Sequence, residues 1–269
     1  MTNLHIREIP KYQATEFVYN YHYSKVFPRI TKHYLGFFEN DDLIGVVTLG
    51  WGTQPLQTIK KLLPNSGLIT QDYYEIGKMC FSPAHNKTKT TGSKIISLLV
   101  QWLKNNTNKK LLYTLADGIV SRVGYVYQAS NFLYGGHFWT DVYMGSDGEK
   151  IHPRSAKELL KENAEFVGKE KLFWLTPDFC LHKGITRIRG KMFRYMMPLS
   201  KKMRKLLIKN NWNLVYPKES DLQWKKQVVK GKYEFIEAPE FALDIVNVNK
   251  KNVESNQRNN WCMENMIFS

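Results

Sequence analysis

The chain has 269 residues, of which 43% are hydrophobic and 13% aromatic, so it can bury the core of one large domain or of two small ones. No apolar run approaches the ~20 residues that span a bilayer, and the first residues lack the apolar core of a signal peptide, so we expect a cytoplasmic protein without a membrane span. Its 39 Lys and Arg outnumber its 24 Asp and Glu, and the formal charge of +15 favours a polyanionic partner, first of all nucleic acid.

The cysteine pattern argues against a framework of disulfides or metal ions. Cys80, Cys180 and Cys262 lie far apart and form no CxxC pair or Cys/His ligand spacing. We therefore expect reduced cysteines and assign no metal ligand from the sequence.

The N-terminal segment predicts a strand over Leu4–Ile9 and a helix that begins near Lys11, with Pro10 between them. A polar loop follows and opens with His22-Tyr23-Ser24. Three crowded hydrogen-bonding side chains on a loop make candidate site residues. The alternative is a turn with a buried tyrosine.

The next segment predicts an antiparallel hairpin over residues 34–50, with its turn at Asn40-Asp41-Asp42. A basic helical piece follows near Thr58–Leu63. A further strand is expected over Tyr73–Phe81, where Lys78 interrupts the apolar pattern.

A polar loop over residues 82–93 leads into an amphipathic helix, Lys94–Lys104. Backbone N–H groups at a helix start, together with nearby lysines, can hold a phosphate or pyrophosphate. The loop has one glycine near its end and matches neither a Walker loop nor a dinucleotide fingerprint. The candidate donor-binding residues are Lys78, Asn86, Lys87, Gly92 and Ser93.

Polar side chains gather around the next predicted strand, Leu111–Ala116, and the segment after it. Asp117 follows this strand, and helical spacing then predicts a helix from Ser121 that carries Tyr127 and ends at Gly135-Gly136. Open α/β sheets bind ligands at the carboxyl ends of their strands, so we expect the active site here. The alternative is that Asp117 caps the helix and the tyrosines fill the core.

Beyond Gly136 the pattern is irregular, with a turn at Gly145–Gly148 and a helix near Ser155–Asn163. The segment Lys183–Lys205 then holds nine Lys or Arg and no acid. Interleaved apolar residues predict a strand pair with one buried and one cationic face, which the basic helix Lys201–Lys209 extends. The alternative is a merely solvated face. The candidate DNA-binding residues are Tyr23, Arg187, Arg189, Lys191, Arg194, Lys201 and Lys202.

The end of the chain carries weaker signals. After Lys218 no regular pattern is expected, and residues 245–269 are typical of a loosely held tail. We therefore predict a catalytic domain over residues 1–217, with a basic DNA-binding part at 183–210, and a C-terminal extension over 218–269.

The order of predicted elements resembles the α/β GNAT acyltransferase fold, a central mixed sheet with flanking helices. In that fold two parallel strands splay apart to admit the thioester arm of an acyl donor, here Tyr73–Phe81 and Leu111–Ala116. A narrower resemblance, to the Mom family of phage proteins, is carried by His22-Tyr23-Ser24, Tyr34-x-Gly36, Ala116-Asp117, the stretch from Gly124 to Phe132, His152-Pro153-Arg154, Arg194-Tyr195 and Tyr216-Pro217-Lys218.

The Mom resemblance implies a cytoplasmic, phage-encoded transferase that converts adenine in double-stranded DNA to an N6-carbamoylmethyl derivative and so protects the DNA from host restriction. It puts His22, Ser24, Asp117 and Tyr127 at catalytic positions, with Asp117 as general base and Tyr127 as proton donor or orienting group. His22 and Tyr23 would line or stack on the flipped adenine. The donor would be an acyl-CoA such as acetyl-CoA, or an aminoacyl group.

The chain departs from the Mom pattern at two positions. Lys78 stands where the family usually has arginine, and Arg122-Val123 precedes Gly124 where a histidine is usual. Two other functions stay open at this point: a GNAT enzyme that acylates a protein or small-molecule amine, and a non-catalytic DNA-binding protein.

Overall fold

The computed structural model describes residues 3–52, 54–82, 92–153 and 156–241, which form one large sheet with helices packed against it. The strands are β1 (Leu4–Glu8), β2 (Ile30–Glu39), β3 (Asp42–Trp51), β4 (Tyr73–Phe81), β5 (Leu111–Asp117), β6 (Leu133–Met144), β7 (Lys150–Ile151), β8 (Thr186–Pro198), β9 (Trp224–Val229) and β10 (Lys232–Ile236). The helices are α1 (Lys11–Tyr21), α2 (Pro55–Leu62), α3 (Gly92–Asn106), α4 (Tyr125–Ala129), α5 (Lys157–Phe166), α6 (Pro177–His182) and α7 (Lys201–Lys209).

The sheet runs in the order β1-β2-β3-β4-β5-β8-β6-β7, and β9 joins β8 while β10 joins β9. β4 and β5 are parallel, whereas the remaining named pairs are antiparallel. The parallel ladder covers only Tyr73–Glu75 against Leu111–Tyr113, although both strands continue beyond it. The two strands therefore splay in the middle of the sheet.

The core lies on both faces of this sheet because the central strands are apolar on each side. α3 covers one face and buries Ile95, Leu99 and Leu103 against it. α2 and α7 cover the other face around Tyr113 and Met196. The splay is thus held between packed layers on both sides.

The structure confirms the α/β fold with a central mixed sheet, and it contains the splayed parallel pair expected from the GNAT resemblance. The predicted hairpin, the strand Tyr73–Phe81 and the helix after the polar loop are also present. Within the described residues, no helix is both long and apolar enough to cross a bilayer.

The predicted helix from Ser121 to Gly135 is wrong over most of its length. α4 has only five residues, and the chain turns at Asn131, whose φ is +59°. Leu133 then begins β6, which pairs with β8 in the interior of the sheet. Gly135 and Gly136 form an irregularity within this strand, where Gly135 lies against the Trp212 ring and leaves no room for a Cβ. Tertiary packing overrides the helical spacing here.

The predicted basic strand pair is also wrong, since Thr186–Pro198 is one long strand. β8 is an interior strand that lies between β6 on one side and β5 and β9 on the other. Buried apolar residues occupy both of its faces. Arg187, Arg189 and Lys191 alternate onto the face that continues as Phe193 and Tyr195.

Part of the predicted C-terminal extension is regular structure. Residues 224–236 form the β9–β10 hairpin, which extends the main sheet through pairing with β8. The expectation that no regular pattern follows Lys218 is therefore wrong for these residues. The predicted tail, 245–269, lies outside the described residues.

Candidate active site

A cavity of about 100 Å³ opens where β4 and β5 separate. The inner edges of both strands line it, from Ile76 to Met79 and from Thr114 to Asp117. The polar side chains at its wall are His22, Tyr23, Lys78, Thr114, Asp117, Arg122 and Tyr127. The structure thus brings three of the four predicted catalytic residues to one cavity.

Asp117 ends β5 and uses its two carboxylate oxygens differently. Oδ1 accepts the Ile119 N–H at 3.1 Å and so caps the 3-10 helix Gly118–Val120. Oδ2 accepts the Tyr23 hydroxyl at 3.3 Å at the cavity wall. The capping interpretation is therefore correct for one oxygen, while the other faces the cavity.

Tyr23 is held among charged and aromatic neighbours. Its ring stacks on His22 with centroids 4.5 Å apart, and Arg122 Cζ and Lys150 Nζ lie 4.8 and 5.3 Å from its centroid. Burial and the Asp117 charge raise the pKa of Tyr23 well above its usual value. The phenol therefore keeps its proton at neutral pH and donates a hydrogen bond to Asp117. Stacking of this ring on an adenine would displace one of these neighbours.

His22 is buried and uncharged. Burial, with help from Lys78 and Arg122, holds its pKa well below the usual value. Its Nδ1 accepts the Ser24 N–H at 2.9 Å, which leaves the ring proton on Nε2. His22 can therefore donate a hydrogen bond in the cavity.

Ser24 contributes through its backbone. Its N–H fixes the His22 tautomer, and its carbonyl accepts Lys78 Nζ at 2.9 Å. The Ser24 side chain is not among the groups at the cavity wall. In the structure, Ser24 therefore orients His22 and Lys78 through its backbone, and its predicted catalytic role stays a prediction.

Tyr127 enters the cavity from α4. Gly124 precedes this helix with φ at +86° and lies so close to Ala116 and Tyr195 that a Cβ would clash with both. The Tyr127 ring packs on Phe132 and Tyr195, at centroid distances of 5.3 and 5.5 Å. Burial raises the pKa of Tyr127, although a hydrogen bond with Thr114 acts against this. The phenol is therefore protonated and rigidly placed.

The electrostatics of the site are dominated by cations. Lys78 and Arg122 line the cavity with Asp117, and Lys150 lies beside it over the Tyr23 ring. Burial lowers the pKa of both Arg122 and Lys150. One carboxylate among the buried Lys78 and Arg122 and the partly buried Lys150 creates a positive potential that favours anionic or carbonyl-bearing ligands.

The sequence reasoning missed the roles of Arg122 and Lys150. Arg122 is adjacent to the Gly124 motif, so its position there was an available signal. Lys150 lies on the two-residue strand β7, far along the chain, and nothing in its sequence surroundings points to the cavity.

The gap between β4 and β5 has a shape that suits the implied acyl donor. Because the β4–β5 ladder stops at Glu75 and Tyr113, the inner edges of both strands line a slot instead of pairing, which fits an extended thioester arm. Lys78 lines this slot, and Gly92 and Ser93 begin α3. Asn86 and Lys87 lie outside the described residues. In the described part of the chain, no three His, Cys, Asp or Glu side chains come together in a way that could hold a metal ion.

The predicted DNA-binding cations of β8 have protein partners. Arg187 and Arg189 form ion pairs with Asp141 at 2.8 and 2.7 Å. Lys191 is buried and donates to the Asp221 carbonyl at 2.7 Å. Arg194 donates to the His137 carbonyl at 3.0 Å. These four cations therefore stabilise the sheet, whatever else they bind.

The β8 cations also lie apart from the cavity. Asp117 pairs with Met192, so alternation puts it on the face of β8 opposite to Arg189 and Lys191. Lys201 and Lys202 are exposed on the first turn of α7. The structure thus brings Tyr23 alone, among the predicted DNA-binding residues, to the cavity wall.

Among solved structures, the chain resembles the spermidine N-acetyltransferase of Vibrio cholerae in complex with CoA and spermine, with 12% identity, a TM-score of 0.40 and coverage of 74% of this chain and 98% of that one. An N-acetyltransferase from Staphylococcus aureus Mu50 gives 15% identity, a TM-score of 0.37 and coverage of 74% and 99%.

The chain is also 26% identical to the methylcarbamoylase mom of Escherichia phage Mu over 212 residues, which are 76% of this chain and 79% of that protein. The sequence model of the Mom protein family matches residues 3–218, the region that contains every cavity residue named above. The chain therefore belongs to the Mom protein family.

Proposed function

We propose that this chain is a transferase that modifies adenine at N6 in double-stranded DNA and adds a carbamoylmethyl group. The observation that carries the proposal is the cavity at the strand splay, where Asp117 accepts from the Tyr23 phenol and Tyr127 lines the same wall. Family membership and the name of the phage Mu relative support a methylcarbamoylase. The formal charge of +15 suits a DNA substrate.

The chemistry explains why a carboxylate is needed. The N6 amine of adenine is a weak nucleophile because its lone pair is delocalised into the ring. The base must leave the helix so that N6 can reach a buried group. Asp117 Oδ2, at the cavity wall, accepts a hydrogen bond from the N6 amine in place of the one from the Tyr23 hydroxyl. It then removes the N6 proton as the new bond forms.

The neighbouring groups orient the base and stabilise charge. The neutral His22 donates through Nε2, and the Tyr127 phenol donates from α4, so both can hold acceptor atoms of the adenine or of the transferred group. Lys78 and Arg122 stabilise negative charge that develops on a carbonyl oxygen in the cavity.

The donor is an acyl-CoA or aminoacyl derivative that carries a –CH2–C(=O)–NH2 unit with a leaving group on its methylene carbon. N6 attacks that carbon, the leaving group departs and Asp117 takes the N6 proton. Simple acetyl transfer from acetyl-CoA would give an N6-acetyl group instead. The arm of the donor lies in the slot between β4 and β5, with Lys78 at the wall and the start of α3 at Gly92 and Ser93 towards its phosphates. In the cell, the modification protects phage DNA from restriction in the host cytoplasm.

The test is to express the protein in bacteria, digest the DNA to nucleosides and compare their masses with those from cells that carry an Asp117→Asn variant. We expect a deoxyadenosine that carries one carbamoylmethyl group in place of a hydrogen, present with the wild type and absent with the variant. An unchanged nucleoside profile with the folded wild type would contradict the proposal and favour an acyltransferase that acts on another amine.

A further inference from the structure

The β9–β10 hairpin lies beyond the region that the family model matches, which ends at residue 218. It is nevertheless fixed to the sheet, since β9 pairs with Ile188–Gly190 of β8. Trp224, at the start of β9, is buried and donates from its indole N–H to the Ile119 carbonyl at 2.9 Å. The hairpin is therefore a firmly anchored addition to the sheet.

One face of this region carries aromatic and cationic side chains across four strands. Asp141, Arg189, Lys225 and Phe235 stand directly opposite one another on β6, β8, β9 and β10, so they share one face. Lys225 Nζ lies 4.4 Å from the ring centroids of both Trp139 and Phe235. We call Trp139, Arg189, Lys225, Tyr233 and Phe235 the hairpin platform.

The hairpin platform is both open and positive. Phe235 is 65% exposed, although it belongs to a regular strand. The Arg189 guanidinium lies 4.6 Å from the Tyr233 centroid and also forms an ion pair with Asp141. Residues 224–236 contain four lysines and one glutamate. Trp139 and Tyr233 are partly buried, so Phe235 is the exposed ring of the platform. An exposed ring beside a cation on a rigid sheet is costly to leave in water and complements a polyanion that has flat apolar rings.

We infer that the hairpin platform binds an unpaired stretch of the DNA substrate, with bases stacked on its rings and a phosphate paired with Lys225. Single-stranded nucleic acid offers both ring faces and phosphates, whereas intact duplex offers mainly phosphates. A base that stacks on Phe235 takes the place of the Lys225 ammonium, which then pairs with a phosphate. The inference rests on the proposed function, because extrusion of an adenine opens the duplex locally.

The platform is mechanically linked to the cavity. The Ile119 carbonyl accepts from Trp224, and the Ile119 N–H donates to Asp117 Oδ1, so the hairpin and the carboxylate share one 3-10 helix. The platform lies on the opposite face of β8 from the Asp117 position, by strand alternation. DNA that reaches both must bend around the outer edge at β10, and bending assists the unstacking that extrusion requires.

The test measures the binding of a labelled single-stranded oligonucleotide and of its duplex by fluorescence anisotropy. We expect Phe235→Ala to weaken single-strand binding about tenfold, from the loss of one base stack, and duplex binding by less than about twofold. Phe173→Ala is the matched control, since Phe173 is 71% exposed and has Lys171 Nζ 5.2 Å from its centroid. This control should bind both DNAs like the wild type.

A second variant, Lys225→Ala, keeps the test independent of any one ring. It should weaken single-strand binding and lower the salt dependence by about one unit, since one phosphate contact is lost. Thermal unfolding curves that match the wild type establish that both variants are folded. Unchanged single-strand affinity in both folded variants would overturn the inference and favour a protein partner for this face.

The outcome can be separated from that of the proposed function. A wild type that binds single strands through Phe235 and yields no adenine adduct supports the hairpin platform and contradicts the proposed reaction. If Phe235→Ala and Lys225→Ala form the adenine adduct and bind DNA like the wild type, the inference about the hairpin platform is overturned and the proposed reaction stands.

Discussion

The basic residues of strand β8 are clustered in the sequence and paired with protein groups, whereas those of the cavity at the strand splay come from separate segments. β8 carries the densest positive run in the chain, yet Arg187, Arg189 and Lys191 are engaged by protein groups. The cavity gathers Arg122 and Lys150 from separate segments around Asp117. Charge density along a sequence therefore does not measure the charge that is available to a ligand.

The largest effect is expected in the cavity, at Tyr127. Tyr127→Phe keeps the ring that packs on Phe132 and Tyr195 and removes only the hydroxyl in the cavity. If that phenol moves or orients a proton, the rate of DNA modification falls about 100-fold. The measurement is the yield of modified nucleoside with time.

The control for Tyr127 is Tyr125→Phe, two residues away on α4. Its hydroxyl donates to Glu219 at 3.3 Å, away from the cavity wall. This variant should modify DNA at the wild-type rate. Equal rates for the two variants would remove Tyr127 from the mechanism.

The second prediction concerns which cations bind the DNA backbone. Lys201 and Lys202 are exposed at the start of α7, in contrast to the engaged cations of β8. Replacement of both by alanine should weaken duplex binding about tenfold and lower the salt slope by about two units. Titrations at several salt concentrations measure both quantities. The same substitutions at Lys169 and Lys171 provide the control and should change neither value.

The third prediction is a pH dependence that comes from His22. Its pKa in the folded protein lies well below the ordinary value of 6.5, so the unfolded chain binds the extra proton first. The contribution to stability is complete above pH 6.5 and is lost as the pH falls towards the folded pKa, by about 1.4 kcal/mol per pH unit at most.

Urea unfolding at a series of pH values checks this prediction. His22→Gln keeps a side chain that can accept the Ser24 N–H and removes the titration. Its free energy of unfolding should fall less steeply below pH 6.5 than that of the wild type. Parallel curves for the two proteins would mean that folding does not lower the pKa of His22, and would contradict this prediction.

The smallest effect is expected at Arg187. Arg187→Ala removes one of the two ion pairs of the half-buried Asp141, which should cost about 1 kcal/mol of unfolding free energy. DNA affinity should stay within about twofold, because this guanidinium already has a protein partner. A loss of DNA affinity as large as that from Lys201 and Lys202 would contradict the contrast drawn between β8 and α7.

The sequence predicted the elements whose signals are local. The β2–β3 hairpin has alternating residues and turn residues between them, and β4 is bounded by polar segments, so both were predicted correctly. The segment after Asp117 was misread because Val126, Ala129 and Leu133 have helical spacing, while pairing with β8 makes Leu133 a strand residue. Local spacing does not report which strand a segment will meet.

The candidate site was partly predictable for the same reason. Asp117 follows a predicted strand, His22 follows a predicted helix and Tyr127 lies in a distinctive motif, and the structure brings the three to one cavity. Lys150 reaches Tyr23 only because β7 folds back along β6. The ion pairs of Asp141 depend on the register of β6 against β8, which alternation alone does not determine.

The account stands on the claim that Asp117 acts on the adenine in the cavity and does not serve merely as a cap. The most direct measurement compares the nucleoside masses and the DNA affinity of the wild type with those of Asp117→Asn. Asparagine can still cap the 3-10 helix, so we expect a folded variant that binds DNA within about threefold of the wild type and lacks the adenine adduct. An adduct at the wild-type level in this variant would contradict the account.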